Sequence, residues 1–288
     1  MMLPSTGYLF DVDGPLASPV SRTLREEGLV DNLVALARSG APICFNTGRS
    51  DAFLRETVLP PMRAAGLPDD IILYGICEKG AVWFRSTSEE LVIDDELALP
   101  RDYADEIREL VAAEFADSMF FDETKHAMVS VEQHIDVSSE DYQRERERFD
   151  ARADEALARR GIGSVRLDVA RPVAGETPVR IDPTIISTDI ESITLGKDLG
   201  ARRFLALLDE DGRARPDHWV TVGDSPGDYA MARELHSAGY SVEHVDVRPL
   251  AVRAEEPFPV RLPPEGMIDD VAGAHFLREW TAALRSAH

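Results

Sequence analysis

The chain has 288 residues, of which 44% are hydrophobic and 29% charged, and this length suits one large globular domain or two of moderate size. Its formal net charge of −22 argues against nucleic acid or an anionic membrane as a partner, because both bind basic surfaces. No apolar stretch approaches the roughly 18 residues of a membrane span, and residues 1–10 lack a basic segment ahead of an apolar one, so we expect a cytoplasmic protein.

The first part of the chain, residues 7–75, alternates strand-like and helix-like patterns. Strands are predicted at 7–13, 41–50 and 69–76 from their short apolar runs. The first two are separated by a helix within 21–40 that ends at Gly40, and the last two by a helix that begins at Ser50 or Asp51. This alternation predicts a doubly wound, Rossmann-like α/β fold built on a parallel sheet.

Residues 85–183 have a different character. An amphipathic helix is predicted at 101–115 and a longer polar helix at 140–161. Alternating apolar residues predict strands at 126–134, 164–170 and 177–182. The pattern indicates an α+β module with one covered sheet face.

From residue 186 onward the first pattern returns. Helices are predicted at 196–212, 226–239 and 273–286, with strands at 218–225 and 240–247 and an irregular loop over 249–264. The simplest assembly is a discontinuous core domain, residues 1–84 and 184–288, into which residues 85–183 are inserted as an α+β cap domain.

Polar residues follow several of the predicted core strands. The first strand ends in Asp11 and Asp13, the second in 46–49 (Asn-Thr-Gly-Arg), and the strand at 218–225 in Asp224, with Asp228 shortly after it. Lys197 opens the helix just upstream of that last strand. Because the carboxyl ends of parallel strands meet at one edge of a sheet, where ligands bind, these residues are predicted to form one site.

Three carboxylates brought together repel one another and require a compensating cation. An all-oxygen ligand set selects Mg²⁺ over zinc, and Mg²⁺ commonly binds phosphate oxygens. Thr47 is expected to donate hydrogen bonds to a phosphoryl oxygen through its hydroxyl and its backbone N–H. Lys197 adds a positive charge beside the phosphoryl group or the nucleophile. These are the demands of phosphoryl transfer.

Four short segments carry a resemblance to a known family. In order, "DVDG", "NTGR", the lysine of "LGKD" and "GDSPGD" resemble the four motifs of the haloacid dehalogenase-like (HAD) phosphatases. The position of residues 85–183 between the second and third motifs resembles the type IIB cap of sucrose-phosphate phosphatases, trehalose-phosphate phosphatases and phosphomannomutases. "EKGAVWF" resembles the hairpin that leads into this cap, and "GMIDDVAGAHFLRE" the closing segment of the family.

The resemblance implies a role for each matching residue. Asp11 is the expected nucleophile, which becomes an aspartyl-phosphate, and Asp13 the expected acid and base. Mg²⁺ is expected between Asp11, the main-chain carbonyl of Asp13 and Asp224, with Asp228 completing its surroundings. The residues expected to bind the phosphoryl group are Thr47, Gly48, Arg49 and Lys197. The chain departs from the family at Pro15, where threonine is usual, and at Gly227, where asparagine is common.

Each of these residues also has a structural interpretation. Ser225, Pro226 and Asp228 fit a helix N-cap, a first-turn proline and a capping acid. Lys197 is alternatively a surface residue at a helix start, and Arg49 a member of a structural ion pair.

The function that best fits these features is a Mg²⁺-dependent phosphatase acting on a small phosphorylated metabolite, a sugar or polyol phosphate. The alternatives are a phosphomutase, which would return the phosphoryl group to its substrate, and a non-catalytic sugar-phosphate sensor. Retention of both Asp11 and Asp13 argues against the sensor, since sensing needs no acid or base. The sequence makes no prediction of the oligomeric state.

Overall fold

A computed structural model describes residues 6–249 and 255–286. The described residues fall into two compact units, the first from Met1–Val92 and Gly196–His288 and the second from Ile93–Leu195. The cap boundaries expected from the sequence are 84/85 and 183/184. They lie upstream of the observed divisions at 92/93 and 195/196, respectively. The second unit ends later than expected because a strand at Ser187–Ser192 pairs within its sheet.

Fourteen strands lie in the described part of the chain. In chain order they are β1 (Thr6–Phe10), β2 (Ile43–Asn46), β3 (Tyr74–Cys77), β4 (Val82–Arg85), β5 (Val92–Ile93), β6 (Met119–Phe121), β7 (Val129–Gln133), β8 (Ser164–Arg166), β9 (Val169–Arg171), β10 (Val179–Pro183), β11 (Ser187–Ser192), β12 (His218–Gly223), β13 (Ser241–Asp246) and β14 (Val260–Arg261).

The α-helices are α1 (Leu29–Arg38), α2 (Asp51–Phe53), α3 (Leu59–Ala64), α4 (Arg101–Leu110), α5 (Ser139–Arg159), α6 (Lys197–Glu210), α7 (Tyr229–Ser237) and α8 (Asp269–Ser286). A π-helical turn, Leu54–Val58, joins α2 to α3, and a second one, Val111–Phe115, extends α4. A 3₁₀ turn, Glu78–Gly80, links β3 to β4.

The sheet of the first unit has the strand order β14-β13-β12-β1-β2-β3-β4-β5. The six strands from β14 to β3 run parallel to one another, and β4 returns antiparallel to β3. Strand β1 lies centrally, with Phe10 level with Val222 of β12 on one side and Phe45 of β2 on the other. The loops that follow β12, β1 and β2 are therefore neighbours at one edge.

Both faces of this sheet are covered, as expected for a doubly wound fold. Leu9 and the fully buried Trp219 belong to a core that α6 and α7 complete. The alternate residues Tyr8 and Phe10 point to the other face, where they contact Trp280 of α8. The predicted α/β class with a parallel sheet is confirmed.

The second unit contains a six-stranded sheet with the order β6-β7-β11-β10-β8-β9. Its apolar core joins inward residues of four strands to one face of α4 and α5, so helices cover one side of the sheet. That core includes Val131, Ile181 and Ile190 on the strands and Tyr103 and Phe149 on the helices. The α+β character predicted for this segment is confirmed.

Two local predictions were wrong, and several strands were not predicted. The alternating residues 164–170 form a tight hairpin, not one strand, because the chain reverses at Leu167 and Asp168 between β8 and β9. Leu167 has a left-handed φ of 52° and is exposed, as is Val169, so these apolar residues mark no buried face. The first helix begins only at Leu29, after a glycine with φ 73°, and leaves Leu24 outside it. Strands β5, β6 and β11 were not predicted.

No helix among the described residues is long and apolar enough to cross a membrane. The cytoplasmic location remains a prediction. Within the expected irregular loop at 249–264, residues 250–254 lie outside the described part of the chain, and β14 is a short strand beside β13.

Candidate active site

The loops after β1, β2 and β12 deliver most of the candidate residues because these three strands are adjacent. Asp11 directly follows β1, and its main-chain N–H donates to the Val222 carbonyl of β12 over 2.8 Å. Asp224 directly follows β12, and the segment 46–49 lies at the end of β2. Sequence-distant residues thus converge at the carboxyl edge of the sheet.

Asp11, Asp224 and Asp228 form a carboxylate cluster. One carboxylate oxygen of each lies within 4.8 Å of the others. Asp11 and Asp228 are buried, and Asp224 is partly buried. The backbone makes room for this approach, because Gly14 has φ +88° and a Cβ there would lie 2.6 Å from the Asp224 Cγ. Gly223 likewise permits the contact, since its Cβ would lie 2.1 Å from the Asp228 Cβ.

Lys197 is the cation of this cluster and is not a surface residue. Its Nζ lies 2.6 Å from the Asp11 Oδ1 and 2.9 Å from the Asp228 Oδ1, and its side chain is only 13% exposed. The same Nζ donates to the main-chain carbonyl of Asn46 over 2.7 Å, while the Asn46 side chain donates to the Lys197 carbonyl over 2.8 Å. This reciprocal pair fixes the start of α6 against the end of β2.

The charges of the cluster do not balance. Burial raises the pKa of Asp11 well above its usual value against the opposing effect of Lys197, and burial with the nearby Asp228 raises the pKa of Asp224 to about 6. Burial acts the same way on Asp228, but Lys197 and the Ser225 hydrogen bonds outweigh it and lower its pKa. For Lys197 the two carboxylates outweigh burial and raise its pKa. Lys197 is the one ammonium in contact with these three carboxylates, and the Arg248 guanidinium, 3.8 Å from Asp224, is shared with Asp269, so the site favours an additional cation.

Asp228 also organises its own loop. Its Oδ2 accepts hydrogen bonds from the Asp224 N–H, the Ser225 N–H and the Ser225 hydroxyl, at 3.1, 3.0 and 2.7 Å. Part of the capping arrangement considered from the sequence forms, because Asp228 accepts from the Ser225 N–H, although α7 itself begins only at Tyr229. Asp228 therefore combines a structural contact with a direct charge contact to Lys197.

The Asp13 carboxylate forms an ion pair with Arg49. The Arg49 Nε donates to Oδ2 over 2.8 Å and Nη2 donates to Oδ1 over 3.0 Å, so both oxygens are engaged. The Asp13 side chain is 36% exposed, and it is not part of the carboxylate cluster. The structure thus contains the ion pair considered for Arg49, and the binding of the phosphoryl group by Arg49 stays a prediction.

Thr47 is fully buried, and one part of its predicted role was wrong. Its main-chain N–H donates to the Ile76 carbonyl of β3 over 2.9 Å and is not available to a phosphoryl oxygen. Its hydroxyl accepts a hydrogen bond from the Arg49 N–H over 3.1 Å and keeps its own proton to donate. Gly48 lies between them in the same loop.

Arg248 lies at the site but was not identified from the sequence. Arg248 follows β13, and its guanidinium lies 3.8 Å from the Asp224 carboxylate while its Nε donates to Asp269 over 2.7 Å. The sequence could have indicated Arg248, because this residue follows β13, one more parallel strand that ends at the same edge of the sheet. Pro15 is one of the two departures from the family pattern. It packs against α8, where a Cβ on Gly273 would lie 1.7 Å from the Pro15 carbonyl oxygen.

The residues present fit a bound Mg²⁺. The cluster offers carboxylate oxygens only, which suits a hard cation, and it carries more negative charge than Lys197 neutralises. The Asp228 Oδ1 is fully buried and makes no hydrogen bond beyond its ion pair with Lys197. Asp11, Asp224 and Asp228 are the residues that would hold the ion or its water ligands.

Comparison with protein-family models found no match, and neither did comparison with curated protein sequences. Solved structures with a similar fold were found. The C-terminal domain of the C. albicans trehalose-6-phosphate phosphatase has a TM-score of 0.65 and 14% identity, covering 97% of this chain and 93% of that one. A haloacid dehalogenase-like hydrolase from Bacteroides thetaiotaomicron has a TM-score of 0.60 and 12% identity, with 96% and 100% coverage.

The sucrose-phosphatase from Synechocystis, solved with sucrose and phosphate, has a TM-score of 0.53 and 15% identity, with 98% and 99% coverage. These alignments span almost the whole of each chain, so the likeness includes both compact units. The chain has the fold of the haloacid dehalogenase-like hydrolases, and the fold expected from its four motifs is confirmed.

Proposed function

We propose that the chain is a Mg²⁺-dependent phosphomonoester hydrolase that acts on a small phosphorylated metabolite, a sugar or polyol phosphate. The observation that carries the proposal is the position of the Lys197 ammonium between Asp11 and Asp228, with an Asp224 oxygen within 4.8 Å of theirs. Similar folds in a trehalose-6-phosphate phosphatase and a sucrose-phosphatase support the substrate class.

Asp11 is the proposed nucleophile. Its Oδ1 accepts hydrogen bonds from Lys197 and, over 2.7 Å, from the Val12 N–H, and these contacts fix the orientation of the carboxylate. Attack of this carboxylate on phosphorus breaks the bond to the ester oxygen and forms an aspartyl-phosphate. A bound Mg²⁺ would neutralise charge on the phosphoryl oxygens in this step.

Asp13 is the proposed acid and base. It donates a proton to the departing alkoxide, and it then takes a proton from the water that attacks phosphorus and releases inorganic phosphate from Asp11. Because both Asp13 oxygens are paired with Arg49, this pair must open before proton transfer. An arriving phosphoryl group offers Arg49 alternative acceptor oxygens, and the Thr47 hydroxyl donates to the same group.

A phosphate-release screen over sugar, polyol and glycerate phosphates tests the proposal. We expect release from at least one of these esters with Mg²⁺ and none with a chelator. A product that is an isomer of the substrate, formed only with a bisphosphate activator, would identify a phosphomutase instead. Binding of an ester without any turnover would identify a sensor and contradict the hydrolase.

A further inference from the structure

The turn between β3 and β4 has an unusual backbone. Glu78, Lys79 and Gly80 have φ values of 49°, 53° and 104°, so three consecutive residues lie in the left-handed region. Among the described residues, no other two consecutive non-glycine residues do so. A left-handed residue other than glycine costs roughly 1–2 kcal/mol, and such strain persists only where surrounding contacts impose it.

Main-chain hydrogen bonds impose this conformation. The Lys79 N–H donates to the Thr47 carbonyl and the Glu78 N–H to the Arg49 carbonyl, both over 3.0 Å. The Lys79 carbonyl accepts from the Gly196 N–H over 2.9 Å, one residue before Lys197. The turn therefore joins two segments of the candidate site, the 47–49 loop and the start of α6.

The side chain of Lys79 lies along Gly48. Its Cε and Cγ are 3.7 and 3.9 Å from the position that a Cβ on Gly48 would occupy. Lys79 is one of only three lysines in a chain with a net charge of −22, and Lys197 is another. Lys79 thus brings a second lysine next to the loop that carries the Thr47 hydroxyl.

We propose that Lys79 is a substrate-binding residue whose ammonium group holds the phosphoryl group of the ester on the Gly48 side of the site. This inference rests on the proposed hydrolase function. It assigns Lys79 to binding, while Lys197 stabilises the nucleophile Asp11 and the acidic cluster. The main-chain hydrogen bonds that hold this turn keep Lys79 beside the 47–49 loop, where its stem lies along Gly48.

Two variants separate the charge of Lys79 from its packing. Lys79→Met retains an unbranched apolar stem over Gly48 and removes the ammonium, whereas Lys79→Arg retains a cation. We expect Lys79→Met to raise both the KM of the ester and the inhibition constant of inorganic phosphate about ten-fold, the effect of one charge-assisted hydrogen bond. We expect kcat to change less than either constant, and Lys79→Arg to restore both constants to near those of the wild type.

Arg215→Met is the matched control. Arg215 is a cation of the same unit, paired with Asp209 and located before β12, at the opposite edge of the sheet. Its loss is expected to leave both constants unchanged. An equal effect in this variant would attribute the change to overall charge and would overturn the proposal.

The outcomes separate the two hypotheses. Unchanged constants in Lys79→Met overturn the role of Lys79, and a higher KM with an unchanged phosphate inhibition constant overturns its contact with the phosphoryl group. Absence of hydrolase activity in the wild-type protein would contradict the proposed function instead. Calorimetric titration with inorganic phosphate and Mg²⁺ then still tests Lys79, because weaker phosphate binding by Lys79→Met supports the binding role and equal binding refutes it.

A stability measurement completes the test. Asparagine tolerates the left-handed region better than lysine. If Lys79 serves binding and not folding, Lys79→Asn melts at or above the wild-type temperature while showing the same weakened phosphate affinity as Lys79→Met. A large drop in melting temperature would assign Lys79 a structural role and would overturn the proposal.

Discussion

At the residue scale, Gly14 sets how closely the loop after β1 approaches Asp224. A Cβ at this position would lie 2.6 Å from the Asp224 Cγ and 2.8 Å from its Oδ2. We expect Gly14→Ala to displace this carboxylate and to raise the Mg²⁺ concentration for half-maximal activity about ten-fold or more, the range found when a partner of a metal ligand is lost. Titration of phosphate release with Mg²⁺ gives this value.

Gly40→Ala is the control for the backbone cost of that substitution. Gly40 has φ +87°, nearly the same as the +88° of Gly14, but nothing lies within 4 Å of its Cβ position. Both variants therefore acquire a left-handed alanine, which costs about 1 kcal/mol of stability. Equal Mg²⁺ dependence in the two variants would show that crowding of Asp224 is not the cause.

A second residue-scale prediction concerns the fully buried His244. Its Nδ1 lies 2.8 Å from the Thr221 hydroxyl oxygen, and burial lowers the pKa of His244 from 6.5 to about 4, although Asp228 and Asp246 oppose the shift. Below pH 6.5 the unfolded chain takes up this proton and the folded protein does not. Stability contributed by the neutral histidine is therefore complete above pH 6.5 and lost as the pH falls towards 4.

The predicted loss is on the order of 3 kcal/mol at most, from 1.36 kcal/mol per pKa unit. We expect urea unfolding to show that His244→Gln is less stable than the wild type at pH 7, and that this difference shrinks as the pH falls to 4. The carboxylates that titrate in the same pH range are present in both proteins, so their contribution to the free energy of unfolding cancels in this difference. A difference that stays constant with pH would contradict a neutral, buried histidine.

At the element scale, the position of α6 depends on Gly200. A Cβ there would lie 2.1 Å from the Asn46 Oδ1, and Asn46 is the residue that binds the main chain of Lys197. Helix propensity alone predicts that Gly200→Ala stabilises the protein by roughly 1 kcal/mol. We expect the opposite sign, a destabilisation of about 1–3 kcal/mol from overpacking, with a lower kcat because Lys197 shifts.

Thermal unfolding and steady-state kinetics of Gly200→Ala check this prediction together. A Gly200→Ala protein that is more stable than the wild type and fully active would show that α6 tolerates displacement from β2.

Much of the core was predictable because each strand is short, apolar and followed by a polar turn. The end of β1 with Asp11, the end of β2 with Thr47 and the end of β12 with Asp224 all lie where the sequence placed them. A parallel sheet brings such ends together without any knowledge of side-chain packing. Proximity was therefore predictable, whereas the catalytic roles of these residues remain predictions.

The elements that were not predicted lack the sequence signals on which the other predictions depend. Strand β11 is flanked by β7 and β10, and its Asp189 and Glu191 carry none of the usual signals of a buried strand. The hairpin at Leu167 was missed because alternation continues across its turn. Asp13 and Arg49 are 36 positions apart in the chain. Sequence spacing does not indicate which side chains pair over such a separation.

At the scale of the whole molecule, the two compact units have separate cores. Trp219 is buried in the core of the first unit and Ile181 in that of the second. Domains with their own cores commonly unfold in separate transitions. Since all three clustered carboxylates belong to the first unit, Mg²⁺ at 100 times its dissociation constant is expected to stabilise that unit by about 2.7 kcal/mol.

Differential scanning calorimetry with and without Mg²⁺ measures this effect. We expect two overlapping transitions, of which Mg²⁺ moves only one to higher temperature. Ile181→Ala creates a cavity in the second unit and is expected to lower the other transition, through a loss of about 2–5 kcal/mol. If Mg²⁺ and Ile181→Ala both shift the same transition, the units do not unfold independently.

The central claim is that Asp11 attacks the phosphoryl group, and phosphate release by Asp11→Asn tests it most directly. Asparagine keeps the shape of the side chain but is a poor nucleophile, so we expect turnover with Mg²⁺ to fall about a thousand-fold or more. The melting temperature of the variant confirms that it is folded. Turnover by a folded Asp11→Asn protein at the wild-type rate would contradict the role of Asp11 as the nucleophile.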